Sequence, residues 1–174
     1  MDVPTDLRPS LTWYAVKTRA RCEKLVAQAL QRRKLEVFLP VWREKHRWSD
    51  RTKIVEIPLF PGYVLVRYDP SSAGAPSVNV RGVLSLVLQG GKPAPLRSAD
   101  VEALVKLDSE RVPLEPHKFL KTGQRVTIRS GPFRGIEGTL VSRQGRDRLV
   151  INVELFQQAA ALSLDGLDVG PADS

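Results

Sequence analysis

The chain holds a single cysteine, Cys22, and only two histidines, His46 and His117, among its 174 residues. A lone thiol cannot close an internal disulfide, and neither histidine has a second ligand at metal spacing. Cys22 reads as a helix-packing residue and the histidines as surface or packing residues. Long apolar runs are missing too, since the one sizeable helix-period segment is interrupted by Arg and Lys, so nothing approaches the ~20 apolar residues of a membrane span. The opening MDVPTDLRPS lacks the basic-then-apolar grammar of a secretion signal. A cytoplasmic protein without a membrane partner is expected. Catalytic constellations are also lacking: no nucleophile, base and orienting acid fall together. The glycines of GPFRGIEG, residues 131–138, lie between strand-like runs instead of opening a helix, which argues against a dinucleotide fingerprint and for tight turns at Gly131, Gly135, Gly138 and Gly145. No enzyme activity and no cofactor are expected.

What the sequence does have is positive charge. Lys and Arg number 27 against 19 Asp and Glu, a net +8 with a pI near 10.0, which favours a polyanionic partner, nucleic acid first among them. The charge is unevenly spread. Residues 41–53 carry Arg43, Lys45, Arg47, Arg51 and Lys53 against Glu44 and Asp50, and residues 121–148 carry seven basic residues against Glu137 and Asp147. Beyond Arg148 no Lys or Arg occurs, and the tail is acidic.

Periodicity divides the chain. LTWYAVK, residues 11–17, is strand-like; Thr18 is a candidate N-cap for a helix with Leu25, Val26, Ala29 and Leu30 on one stripe. Residues 35–39 return to strand character and stop at Pro40. REKHRWSDRTKIVEI reads as a hairpin about a Ser49-Asp50 turn, PLFPGYVLVR as a strand, residues 69–80 as a loop, and residues 83–88 as another strand. After a turn at residues 90–95, Ser98 caps a helix with Asp100 and Glu102 in its first turn and Val101, Leu104 and Val105 on its stripe. The order predicts an α+β domain, helices packed on a largely antiparallel sheet. SERVPLEPHKFLKTG, with Pro113 and Pro116, shows no period and reads as a linker. Beyond it RVTIR, GTLVS and RLVINVEL alternate with glycines, as a small β-barrel requires. QQAAALSLDGL has helix-friendly composition, but the β-branched residues around it favour strand. The expected division is a disordered stretch at 1–10, a first domain at 11–110, a linker at 111–120, a barrel at 121–170 and a tail at 171–174.

The strand in PLFPGYVLVR poses a problem of its own. Alternation sends Tyr63, Leu65 and Arg67 to one face and Val64, Val66 and Tyr68 to the other, so both faces are largely apolar. Either the strand is buried on both sides or one face awaits a partner. Trp42 and Trp48, interleaved with basic residues, are suited to stacking bases beside neutralised phosphates, or to anchoring the hairpin on the sheet.

Taken together, WYAVKTRARCEKLVAQAL, LEVFLP, PLFPGYVLVR, RGVLSLV with GKPAPL, and GQRVTIRSGPFRGIEGTL resemble the NusG/RfaH family of bacterial transcription elongation factors. The resemblance runs from about residue 11 to 169. RWSDRTKIVEIPLFPGYV is more similar to the specialised UpxY and RfaH paralogues than to the housekeeping factor. The resemblance implies an N-terminal NGN domain seated on the clamp helices of the largest RNA polymerase subunit and a C-terminal KOW barrel of SH3-like type, in a monomer. It implies a polymerase-facing surface at Phe60, Tyr63 and Leu65 with Lys17 beside them; a core role for Phe60 and Tyr63 is the alternative. It implies contact with the non-template DNA strand through Arg19, Arg21 and Arg81, with Ser71 and Ser72 in the position where RfaH carries a His-Thr cluster. Phe156 matches the exposed aromatic by which the family's barrel recruits Rho or a small-subunit ribosomal protein, or else fills the barrel core. Antitermination of particular operons is the function implied. The alternatives are the housekeeping factor and a ribosome-associated KOW protein that binds RNA.

Overall fold

The structure, a computed structural model, describes residues 11–71 and 79–173. The stretch 1–10, expected to be disordered, and most of the 69–80 loop lie outside the described residues. Strands and helices follow in the order β1 (Thr12–Thr18), α1 (Glu23–Arg32), β2 (Glu36–Phe38), β3 (Val41–Arg47), β4 (Thr52–Pro58), β5 (Tyr63–Tyr68), β6 (Val83–Leu86), β7 (Leu88–Gln89), β8 (Lys92–Pro93), α2 (Ser98–Ser109), β9 (Glu115–Lys118), β10 (Gln124–Ile128), β11 (Glu137–Arg143), β12 (Arg146–Val153), β13 (Gln158–Ser163) and β14 (Val169–Pro171). The fold class is α+β. Among the described residues, compactness groups 11–39 with 61–71 and 79–98, and 40–60 with 99–173.

The first unit is built on an antiparallel sheet ordered β2-β5-β1-β6. Tyr14 and Val16 of β1 and Val64, Val66 and Tyr68 of β5 project from one face onto Val26, Ala27 and Leu30 of α1, all buried. Each buried Val or Leu among them contributes about 1.5–3 kcal/mol. The α1 stripe is shifted by a residue from the expected one: Ala27 is buried while Leu25 is 48% exposed. The cap is shifted as well. Thr18 stays in β1, where it pairs with Val83 across a bulge, and Cys22 is the N-cap, with no side-chain hydrogen bond. The opposite sheet face is also covered, with Trp13 3%, Ala15 0% and Leu65 1% exposed.

In the second unit β3 and β4 form a separate hairpin in full register from Val41↔Pro58 to Arg47↔Thr52, closed by Trp48 N–H donating to the Arg51 carbonyl at 2.8 Å. The six-stranded sheet runs β14-β10-β11-β12-β13-β9, with Val126, Ile128, Leu149, Ile151 and Leu162 buried. Two expectations change here. The stretch read as a linker contains β9, which pairs with β13 from Lys118↔Gln158 to Glu115↔Ala161; a strand at a sheet edge tolerates the missing N–H of Pro116. Gly138 sits inside β11, not in a turn, because a Cβ there would lie 2.6 Å from the Val150 carbonyl oxygen. The alanine-rich QQAAALS segment is strand β13, held by ladders on both sides.

Candidate interaction surface

One end of the first unit's sheet gathers Lys17, Arg19, Arg21, Tyr63 and Arg81 from among the residues singled out in the sequence. Lys17 near the end of β1 stands directly opposite Tyr63 at the start of β5. One residue on, Thr18 N–H donates to the Gly62 carbonyl at 2.8 Å, and Gly62 N–H donates to the Glu23 carboxylate at 2.9 Å. The Pro61-Gly62 corner is therefore held from two sides, and glycine is required there by a φ of +87°. Glu23, in the first turn of α1, is 5% exposed, and its carboxylate accepts the Gly62 N–H from a distant part of the chain. Sequence reading missed it; an acidic residue at a helix start was the available signal, but its distant partner was not visible.

The same end carries the arginines. Arg19 N–H donates to the Gly82 carbonyl at 2.8 Å, fastening the loop of Arg19 and Arg21 to the turn of Arg81. All three side chains are exposed. Gly82 is needed at this junction, since a Cβ would lie 2.9 Å from that of Cys22, which gives the lone cysteine its packing role. Lys17, Arg19, Arg21 and Arg81 thus line one rim beside the half-buried Tyr63.

The other expected site residues are placed differently. Ser71 follows the far end of β5, where its N–H and Oγ donate to the Asp69 carboxylate at 2.9 and 2.6 Å, and it is not brought to the arginine rim. Ser72 lies outside the described residues. Leu65 is buried, Phe60 is 2% exposed and Phe156 is 7% exposed. Phe60 and Phe156 meet within the second unit, ring centroids 5.6 Å apart. At the hairpin, Trp48 is 62% exposed and Trp42 half-buried. Among the described residues, no group of His, Cys, Asp and Glu is placed to hold a metal ion, and no helix is long and apolar enough to cross a membrane.

The fold is thus of the α+β class, with a cationic rim at one end of its first sheet. The model of a family described as "Transcription termination factor nusG" matches residues 11–105, more than half of the chain, and the chain belongs to the NusG family. Among its relatives, the "Transcription termination/antitermination protein NusG" of Borreliella burgdorferi is 26% identical over 90% of this chain and 96% of its own length. The protein of the same name from Lactococcus lactis is 28% identical over 88% and 89%. The solved structure described as "Domain interaction in Thermotoga maritima NusG" matches 94% of this chain and 98% of its own, with a TM-score of 0.56 at 20% identity, a likeness of fold.

Proposed function

We propose that this protein is a non-enzymatic transcription elongation factor of the termination/antitermination type that binds the RNA polymerase clamp through Lys17 and Tyr63, suppresses pausing and promotes antitermination of specific operons. The observation that carries the reading is the pairing of Lys17 with Tyr63 on the end of the sheet that also bears Arg19, Arg21 and Arg81. An apolar and aromatic contact flanked by cations suits a protein partner that itself holds nucleic acid. Phe60 and Leu65 join the contact once uncovered, while the arginines track the non-template strand and Phe156 serves a second partner, Rho or a small-subunit ribosomal protein. A housekeeping role is the second reading, favoured by relatives that bear the general name.

The test is a pull-down of core polymerase with purified protein, wild type and Tyr63→Ala. The variant is expected to bind about 1–3 kcal/mol more weakly, as truncation of an interface anchor does, with its thermal unfolding unchanged. Large destabilisation at unchanged affinity would return Tyr63 to the core.

A further inference from the structure

β1 lies between β5 and β6 in the first unit's sheet, so the chain that leaves it, residues 18–23, passes between the corner that opens β5 and the turn that opens β6. It is bonded to both. On the β5 side, Gly62 commits both of its backbone groups to this one segment: its carbonyl accepts from Thr18 N–H at 2.8 Å, and its N–H donates to the Glu23 carboxylate at 2.9 Å across 39 positions of sequence. On the β6 side, Arg19 N–H donates to the Gly82 carbonyl at 2.8 Å, and a Cβ on Gly82 would lie 2.9 and 3.1 Å from the side chains of Cys22 and Val26.

This clasp encloses a strained backbone. Arg21 has a φ of 63°, a left-handed conformation that residues with a Cβ adopt at a cost and keep where the surroundings over-determine it. Cys22 N–H donates to the Arg19 carbonyl at 3.1 Å and closes the loop on itself. The exposed Arg19 and Arg21 therefore leave a backbone set by its two ends, Thr18 and Glu23, both tied to Gly62. The helix does not need the second tie, since Val26, Ala27 and Leu30 already seat α1 on the sheet. What the Glu23 carboxylate fixes is the relation between the start of α1 and the residue after Gly62, which is Tyr63.

We propose, on the reading that Tyr63 meets polymerase and the arginines meet the non-template strand, that Glu23 is a positioning residue that couples the two contacts. A corner immobilised by docking holds Glu23, and Glu23 holds the loop of Arg19 and Arg21, so less conformational freedom remains to be lost when the strand binds. One coupling factor then acts in both directions: DNA in the arginine rim tightens the hold on polymerase by as much as polymerase tightens the hold on DNA.

The full chain is titrated onto core polymerase and onto an elongation complex, and the ratio of the two affinities measures the gain that nucleic acid brings. Glu23→Ala is expected to lower that gain about fivefold or more, the usual size of coupling between sites. Glu23→Gln, which keeps an acceptor oxygen for the Gly62 N–H, is expected to restore most of it. Arg19→Ala/Arg21→Ala is expected to lower the gain in the unaltered chain but to lower it little further in the Glu23→Ala background, as residues that act through one another do. Ala27→Gly, which weakens α1 away from the corner, is expected to lower the unfolding temperature and leave the gain in place. Hydrogen exchange on the free proteins is expected to quicken at the Thr18, Arg19 and Gly62 amides in Glu23→Ala and to return toward the unaltered rate in Glu23→Gln. Additive losses, no rescue by Glu23→Gln, a gain lowered as much by Ala27→Gly as by Glu23→Ala, or unchanged exchange at those amides would each overturn the coupling and leave the polymerase reading standing. An unaltered protein that fails to bind core polymerase, or that gains nothing from nucleic acid, would overturn that reading and the coupling with it.

Discussion

The rings of Phe60 and Phe156 lie 5.6 Å apart, centroid to centroid, with their planes tilted by 52°, although 96 positions separate them in the chain. Both are buried, and the pair closes a contact between the residue that ends the β3–β4 hairpin segment and the 3₁₀ turn Glu154–Phe156. Each single alanine variant is expected to cost about 3–5 kcal/mol. A double-mutant cycle in urea is expected to show about 0.5–1.5 kcal/mol of coupling between the rings. Additive losses would show that the two rings stabilise the fold separately.

The same contact bears on the proposed partners. A polymerase that takes up Phe60 must part it from Phe156, so Phe156→Leu, which keeps the site apolar but removes the ring, is expected to raise polymerase affinity while lowering the unfolding temperature. Isothermal titration and thermal melts on one preparation read both, and unchanged affinity would place Phe60 outside the polymerase contact.

Glu23 joins the start of α1 to the Pro61-Gly62 corner through a 2.9 Å hydrogen bond. Removing the acceptor strands a partly buried N–H, at about 1–3 kcal/mol. Glu23→Ala is therefore expected to destabilise by that amount and Glu23→Gln, which keeps an acceptor oxygen, by less. Equal effects in denaturant unfolding would show that only side-chain packing is lost.

In the proposed function polymerase docking rests on apolar burial and DNA contact on Arg19, Arg21 and Arg81, so the two should answer differently to salt. Replacing the three arginines with alanine is expected to reduce pause suppression and to flatten the salt dependence of binding to an elongation complex by roughly 0.7 per lost single-strand phosphate contact. Binding to core polymerase without nucleic acid is expected to change little. A triple variant that loses core binding as badly as Tyr63→Ala would defeat the separation.

Tyr68 is buried beside Tyr14, ring centroids 4.7 Å apart, and its hydroxyl is raised above the ordinary value of 10.0 by burial first and by the Tyr14 charge second. A raised folded value favours the neutral phenol, so the contribution is intact below about pH 10 and is lost as pH climbs through the folded value. Tyr68→Phe is expected to flatten the alkaline limb of a stability-against-pH curve and to leave the neutral region nearly level.

Much was legible in the residues alone, because some patterns are local. Apolar positions in alternation located β5, a Ser49-Asp50 turn between strand-like flanks located the hairpin, a helical period located α1 to within a residue of its buried stripe, and the order of five motifs carried the family. The arginine clusters likewise stand in the sequence as charge. What tertiary structure decided depends on distant chain. EPHK has no alternation and a proline, and it is a strand only because β13 offers it an edge. Thr18 has the chemistry of a cap, yet its pairing with Val83 keeps it in β1 and leaves that position to Cys22. The second apolar face of β5 admitted burial or exposure, and only the fold covers Leu65 while leaving Tyr63 half open. Nor does any local pattern announce that Glu23 reaches Gly62 or that Arg19 is tied to Gly82. Side-chain periodicity is set by backbone geometry within a few residues, whereas these contacts are closed by loops whose ends meet only when the whole unit packs.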